Sequence, residues 1–207
     1  SQLGALFASY MDEARLEQLD AAPLKADLDR VNAIKNKAEF ASFMAASLGD
    51  YGSSLFGPGI GPDTSRPDLN TLYLGTSGLG LPDRDYYLSN DGKMLETRTK
   101  YKAYVQQILQ LAGYPDPQGS AGRIMDLETK IAKAHEPREQ SEDFANGAQV
   151  WTRAQLEQKA PGIDWGALLG AAQLGSVQKF DAYHFAAIPR IAALVGSEPL
   201  QNWKDWL

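Results

Sequence analysis

Apolar residues recur at helical spacing through the first 48 positions of the chain. Leu3, Leu6, Phe7 and Tyr10 fall on one face of a helix, and later apolar positions again repeat every three or four residues. The spacing predicts helices over residues 3–12, 23–34 and 37–48. Pro23 suits the first position of the second helix, because the missing N–H has no helical partner there.

The pattern changes at residue 49, where Gly, Pro, Ser and Asp surround two short apolar runs, 54–60 and 69–74. Two such runs joined by turn-forming residues are typical of a β-hairpin, with residues 61–68 as its loop. Helical spacing then returns over residues 94–112 and 120–134. The first of these helices is expected to bury the apolar and aromatic side chains of Tyr101, Tyr104, Val105, Ile108 and Leu111, and the second those of Ile124, Leu127 and Ile131.

The last third of the chain repeats the helical pattern in shorter pieces. Thr152 and Asp164 are typical N-caps, because their side chains can accept hydrogen bonds from the free N–H groups of a first helical turn. The predicted helices cover residues 152–159, 165–174, 183–195 and 199–207, with a short strand over 175–180 and a polar, mobile loop over 138–147. The predicted fold class is therefore mainly α, a multi-helix lobe with a small β-hairpin insertion at about residues 54–74.

Composition narrows the class of function. The net charge of −6 and the pI near 5.0 leave no basic excess for phosphate neutralisation, so nucleic-acid binding is not expected. No apolar run is long enough to predict a membrane segment. The absence of cysteine excludes disulfides and cysteine-ligated metals but leaves the cellular compartment open.

The residues offer little catalytic chemistry of their own. His135 and Glu136 open the string HEPRE, but position 139 is Glu where a zinc motif requires a second His, and Pro137 interrupts the helix that would align the ligands. The other histidine, His184, lies among aromatic residues and is expected to be packed and hydrogen-bonded. We therefore predict no catalytic residue, no metal ligand and no cofactor in this chain.

The least ordinary run is GLGLPDRDYYL, residues 78–88. Its glycines and proline constrain the backbone, and its charged residues can form a local ion network ahead of two adjacent tyrosines. An ordered, packed loop and a partner-binding surface are both consistent with this composition.

Within that run lies a string that resembles a hallmark of the M13 zinc metallopeptidases, the neprilysin and bacterial PepO-like group. The string is L-G-L-P-x-R-D-Y-Y, which we call the signature segment, and its matching residues here are Leu79, Gly80, Leu81, Pro82, Arg84, Asp85, Tyr86 and Tyr87. Four further stretches resemble other segments of the family and occur in the same order, namely residues 9–28, 55–63, 126–135 and 160–165. Animal members carry Cys where this chain has Tyr10, which points to a bacterial-type member.

The resemblance implies that residues 1–207 are part of one mainly helical, non-catalytic N-terminal lobe of a zinc metalloendopeptidase. In such a parent protein this lobe caps the active-site chamber and limits substrate size, while the zinc-bearing lobe hydrolyses peptides. The zinc motif H-E-x-x-H does not occur in this sequence, so no catalytic or metal-binding residue carries over, and the signature residues are expected to be structural. The implied partners are the catalytic lobe of the same protein and peptide substrates, and the implied location is extracytoplasmic, either periplasmic or secreted.

Other interpretations stay open. The chain begins at Ser1 without Met and ends on the apolar Leu207, and we expect it to be a trimmed piece of a longer protein. A stand-alone protein-interaction or peptide-binding module that reuses the same lobe is the alternative function. A large uncovered apolar surface would favour the cut lobe, whereas an independent module should expose only a modest one.

Overall fold

The computed structural model describes residues 1–49, 54–63, 66–141 and 149–207. Its N-terminal part is helical, as the apolar spacing predicted. The helices are α1 (Gln2–Tyr10), α2 (Glu13–Leu19), α3 (Lys25–Asn32) and α4 (Lys37–Ala46), with short 3-10 turns at Ala22–Leu24 and Ser47–Gly49. Helix α2 was not predicted. It is a separate helix because the Asp12 side chain accepts a hydrogen bond from the Arg15 amide and so starts a new first turn.

The predicted hairpin is present as β1 (Phe56–Pro62) and β2 (Asn70–Thr76), which pair antiparallel. It is not an isolated insertion, however. Two further strands, β3 (Gln149–Thr152) and β4 (Lys179–Ala182), extend it to a four-stranded mixed sheet in the order β1-β2-β4-β3. Strand β4 overlaps only the end of the strand predicted over 175–180, and β3 was not predicted because its pairing depends on β4, a segment distant in sequence.

The remaining helices follow the prediction with shifted ends, except for the short helices α5 and α8, which were not predicted. They are α5 (Asp85–Leu88), α6 (Gly92–Leu111), α7 (Pro117–Ala134), α8 (Arg138–Ser141), α9 (Arg153–Lys159), α10 (Trp165–Ala171), α11 (Ala187–Ser197) and α12 (Leu200–Trp206). Thr152 and Asp164 cap α9 and α10 as expected. Residues 138–141 of the predicted mobile loop form α8 instead, and residues 142–147 of that loop lie outside the described residues.

The main core lies between α7, the sheet, and helices α4, α10, α11 and α12. Ile124, Leu127 and Ile131 of α7 are buried, which confirms the predicted inner face of that helix. Large aromatic side chains join the layers. The Phe40 and Trp203 rings have centroids 5.2 Å apart, and those of Phe56 and Trp165 lie 4.8 Å apart. The mainly α fold class is therefore confirmed.

The predicted inner face of α6 was right for Tyr101 and Val105, which pack against buried residues, and wrong for the other three residues. Tyr104, Ile108 and Leu111 are 59%, 44% and 62% exposed, and Leu109 packs against the core beside Val105. Periodicity locates an apolar stripe along a helix but carries no information on how much of that stripe another element covers. Helix α6 packs on α5 and α7.

A buried carboxylate on α12 links that helix to α7. Asp205 accepts hydrogen bonds from Arg123 Nε at 2.6 Å, Tyr114 Oη at 2.8 Å and Gln201 Nε2 at 2.7 Å. Burial raises the pKa of Asp205, but the hydrogen bonds from Gln201, Arg123 and Tyr114 outweigh burial and hold this pKa below its ordinary value. The charged form of Asp205 therefore stabilises the fold.

Replacing Asp205 by asparagine should lower the free energy of unfolding by about 1–2 kcal/mol at neutral pH. Because the folded-state pKa is depressed, the stabilisation by Asp205 is complete above the unfolded pKa of about 3.9 and is lost as the pH falls below it. Urea unfolding of both proteins from neutral to acidic pH measures this, and the difference between them should shrink toward acid. A difference that stays constant with pH would contradict this account of the carboxylate.

Candidate functional site

Two cavities meet at the residues that lead from β2 into the signature segment. The histidine cavity, about 520 Å³, contains both histidines of the chain. The glutamate cavity, about 400 Å³, contains Glu128 of α7. Ser77, Gly78 and Leu79 line both cavities, so this short stretch of backbone forms a wall between them.

Two glycines allow the wall and the signature segment to approach their neighbours closely. Gly78 has a φ of +103°, a conformation that side chains rarely adopt, and a Cβ there would lie 2.7 Å from a Leu55 methyl group. A Cβ on Gly80 would overlap the Tyr101 hydroxyl and lie 2.8 Å from Tyr101 Cζ. Both positions therefore exclude any larger residue unless the packing around them shifts.

The Glu128 side chain anchors the signature segment to α7. Its side chain accepts hydrogen bonds from Tyr87 Oη at 2.7 Å and from Tyr101 Oη at 3.1 Å, and the Gly80 amide donates to the same carboxylate. Tyr87 Oη also accepts a hydrogen bond from the Leu81 amide at 2.8 Å. One carboxylate thus connects α6, α7 and both ends of the signature segment.

The environment of Glu128 disfavours a charge. The residue is only 3% exposed, and burial raises its pKa even though the hydrogen bonds from Tyr87, Tyr101 and Gly80 act in the opposite direction. Burial and the neighbouring carboxylate likewise raise the pKa values of both tyrosines, which therefore remain hydrogen-bond donors at neutral pH.

The other charged residues of the signature segment bind backbone groups. Arg84 Nε donates to the Ala132 carbonyl at 3.3 Å, and the Asp85 amide donates to Asp83 Oδ1 at 2.8 Å. Arg98 of α6 donates to the Tyr86 carbonyl at 2.8 Å. Across the ranges that the structure describes, no ion pair joins Arg84 to Asp83 or Asp85, so the expected local ion network is replaced by contacts to backbone groups.

The two histidines hold adjacent residues at the end of β2. His135 Nε2 lies 3.1 Å from the Ser77 carbonyl oxygen, and His184 Nδ1 lies 3.0 Å from the Thr76 amide nitrogen. The expectation that His184 is packed and hydrogen-bonded is confirmed, since its ring also lies 4.5 Å from that of Tyr183. Burial lowers the pKa of His135, and the proximity of His184, Arg84 and Arg190 lowers it further against the opposing Ser77 contact.

These residues do not fit a zinc site or a nucleophilic centre. Within the described part of the chain, no group of three or more His, Asp or Glu side chains could hold a metal ion. Glu136 Oε1 accepts a hydrogen bond from the Ala186 amide at 3.2 Å, so the acidic residue of HEPRE binds backbone. The Ser77 hydroxyl donates to the Ser54 carbonyl oxygen, which is no base that could activate it.

Sequence reasoning missed Glu128 and Tyr101 as partners of the signature segment. A signal for Glu128 was present, because it lies four residues after Ile124 and one after Leu127, on the face of α7 that was predicted to be buried. An acidic residue on an apolar helix face implies a hydrogen-bonding partner. The identity of that partner depends on the folded chain.

None of the helices within the described ranges is both long enough and apolar enough to cross a bilayer.

The sequence model of peptidase family M13 matches residues 1–207. Endothelin-converting enzyme 1 from Homo sapiens is 26% identical over 216 residues, which cover 97% of this chain and 28% of that protein. The same enzyme from Mus musculus is 29% identical over 168 residues, which cover 77% of this chain and 22% of that protein. The chain thus spans less than a third of the length of these curated relatives.

Solved structures show the same fold. Zinc metalloprotease Zmp1 from Mycobacterium tuberculosis, in complex with an inhibitor, superposes with a TM-score of 0.88 at 26% identity. The match covers 98% of this chain and 31% of that chain. PepO from Lactobacillus rhamnosis superposes with a TM-score of 0.72 at 19% identity, over 97% of this chain and 32% of that chain, which is a likeness of fold alone.

Proposed function

The chain belongs to peptidase family M13, within its N-terminal region, and from this membership we propose that it is the non-catalytic lobe of a zinc metalloendopeptidase that hydrolyses peptides. The relatives that support the proposal are described as an endothelin-converting enzyme and a zinc metalloprotease, each more than three times as long as this chain. Zinc bound outside this chain would activate water for amide hydrolysis. The residues described here would shape the chamber in which that reaction occurs.

The observation that carries this proposal is an uncovered apolar stripe on α1. Leu3, Leu6, Phe7 and Tyr10 repeat at helical spacing, and each is between 66% and 79% exposed. Tyr104, Ile108 and Leu111 form a second exposed stripe on α6. Aligned apolar stripes of this kind mark surfaces that another element covers. We propose that the catalytic lobe of the same protein packs here, so that the two lobes enclose the chamber and limit substrate size.

In this proposal the signature segment is structural. Tyr87 and Gly80 are fastened to Glu128, Leu81 to Tyr87, and Arg84 to the backbone of α7. None of these contacts aligns a nucleophile, a general base or a metal ligand. We extend the extracytoplasmic location to this chain on the family resemblance alone, and the bacterial type on Tyr10, which stands where animal members carry Cys.

The purified 207-residue chain should hold substoichiometric zinc and should not cleave peptides. Elemental analysis and a chelator-controlled assay with a fluorogenic peptide test both expectations. Stoichiometric zinc, or cleavage that a chelator abolishes, would contradict the assignment as a non-catalytic lobe.

The uncovered stripe on α1 should make the isolated chain self-associate as its concentration rises, because an exposed apolar stripe pairs with whatever apolar surface is available. We expect the double variant Leu6→Lys and Phe7→Lys to reduce this association, as measured by sedimentation velocity. The matched control is Ala5→Lys with Ala8→Lys, which adds the same charge to exposed positions on the opposite face of the same helix. A monomeric unmodified chain, or an equal effect of both pairs, would favour the stand-alone module.

A further inference from the structure

Several hydrogen bonds hold the wall between the two cavities and the residue before it. The Ser77 amide donates to the Leu55 carbonyl at 2.9 Å, and Trp206 Nε1 of α12 donates to the Gly78 carbonyl at 3.3 Å. In addition, His184 binds the Thr76 amide and His135 binds the Ser77 carbonyl. Both histidines of the chain therefore fasten two consecutive residues of one backbone segment.

The His184 side chain replaces the next backbone acceptor that a longer β4 would offer to β2. Strand β4 runs parallel to β2 and ends at Ala182, and the next ladder bond joins the Tyr183 amide to the Leu74 carbonyl at 3.0 Å. The following donor of β2, the Thr76 amide, meets the imidazole of His184 at 3.0 Å instead of a backbone carbonyl. The last ladder bond of β2 on this side thus depends on a titratable side chain.

The two histidine contacts respond differently to a proton. A backbone amide only donates, so the Nδ1 atom that meets the Thr76 amide must carry a lone pair and no hydrogen. A backbone carbonyl only accepts, so Nε2 of His135 carries its hydrogen whether the ring is neutral or charged. His184 Nδ1 also lies 3.0 Å from Thr76 Oγ1, which can accept a hydrogen bond from a protonated ring. Addition of a proton to Nδ1 of His184 therefore removes the acceptor of the Thr76 amide and leaves a contact with the Thr76 hydroxyl, whereas protonation of His135 preserves its contact with Ser77.

Among the residues that the structure describes, charged side chains from several elements lie at or near the histidine cavity. They are Asp83, Arg84 and Asp85 at the start of α5, Glu136 after α7, Arg138 on α8, and Arg190 on α11, which lies near His135. Arg84 and Arg190 disfavour a second positive charge on His135. The hydrogen bond from the Thr76 amide is the one of these contacts that requires neutral Nδ1 on His184.

We propose that His184 is an acid-sensitive latch on the end of β2 at Thr76, the residue that precedes the wall. Neutral His184 accepts a hydrogen bond from the Thr76 amide. A proton taken from solvent onto Nδ1 removes this acceptor; the ring then donates to Thr76 Oγ1, and the Thr76 amide becomes accessible to water. This inference does not depend on the proposed peptidase function.

Hydrogen exchange of the Thr76 amide tests the latch. After correction for the intrinsic exchange rate, we expect its protection factor to fall roughly tenfold or more between about pH 7.5 and about pH 5, a range that spans the titration of free imidazole. In the unmodified chain, the ¹⁵N shift of His184 Nδ1 and the amide proton shift of Thr76 should change with one midpoint. An unchanged Thr76 amide while His184 titrates, or a His184 that stays neutral to the end of the range, overturns the proposal.

Two glutamine variants separate the histidines. In His184→Gln the side-chain amide oxygen can accept from Thr76 but does not titrate, so protection of Thr76 should lose its dependence on pH. The matched control His135→Gln keeps a donor for the Ser77 carbonyl and should retain the pH response. The reverse pattern would assign the response to His135 and refute the latch; if a variant does not fold, the shared midpoint in the unmodified chain decides alone.

Discussion

Replacing Glu128 by alanine should lower the free energy of unfolding by about 3–5 kcal/mol. The change removes the acceptor for Tyr87, Tyr101 and the Gly80 amide, all of which lie at a buried junction, and each unsatisfied donor costs stability. It also leaves a void beside the existing glutamate cavity. Urea unfolding followed by circular dichroism measures the loss.

The control for that prediction is Glu128→Gln, which keeps the shape and one acceptor oxygen while adding an amide donor that a tyrosine hydroxyl can accept. Because burial raises the pKa of Glu128, the charged form is disfavoured in the folded chain, and a neutral amide should cost much less than alanine. Equal losses in the two variants would show that the carboxylate, rather than a filled and hydrogen-bonded site, is what the fold requires. A small loss in Glu128→Ala would contradict the role assigned to the cluster.

Replacing Gly162 by alanine should destabilise the fold by about 3 kcal/mol. Gly162 lies directly against the backbone of α11, and a Cβ there would overlap the Ala192 carbonyl oxygen and lie 2.5 Å from its carbon. The obstacle is helix backbone rather than a flexible side chain, so either α11 or the turn before α10 must move. Ala160, which precedes this turn, and Ile163, which lies in it, are both buried, which leaves little room for movement.

Gly170→Ala is the matched control for the Gly162 variant. Gly170 lies within α10, and an added Cβ would meet no atom within 4 Å. Alanine has the higher helix propensity, so this variant should be neutral or more stable by up to about 1 kcal/mol. Thermal or urea unfolding of the pair compares them, and similar losses in both variants would contradict the close contact between Gly162 and α11.

Local signals predicted most of the helices. Helix α9 begins where Thr152 and Gln155 form a capping box, and α10 begins where Asp164 accepts from the Ala167 amide, all within four residues of sequence. The hairpin β1–β2 was likewise visible because its two strands and its turn are adjacent in the chain. Strand β3 was missed because four residues without a neighbouring partner carry no strand signal of their own.

The candidate site was visible from the sequence only in part. The signature segment stood out as a string of residues. Its partner Glu128, however, lies 41 residues after Tyr87, and no periodic pattern in the sequence connects the two residues. His135 and His184 offered no sequence signal that they meet at one cavity. Their shared position follows from the ends of α7 and β4 converging on the end of β2.

The sequence by itself determined the mainly α class, the position of the hairpin and the resemblance to family M13, because caps, turns and motifs act over a few residues. The tertiary structure decided which stripes are buried, as α7 and α6 illustrate: Leu127 is 1% exposed, whereas Leu111 is 62% exposed, although both occupy apolar stripes. It also decided that Glu128, Tyr87 and Tyr101 meet, and that two distant histidines hold one strand end. Burial and hydrogen-bond partners depend on which elements come to lie together, and periodicity along one element contains no information about its neighbours.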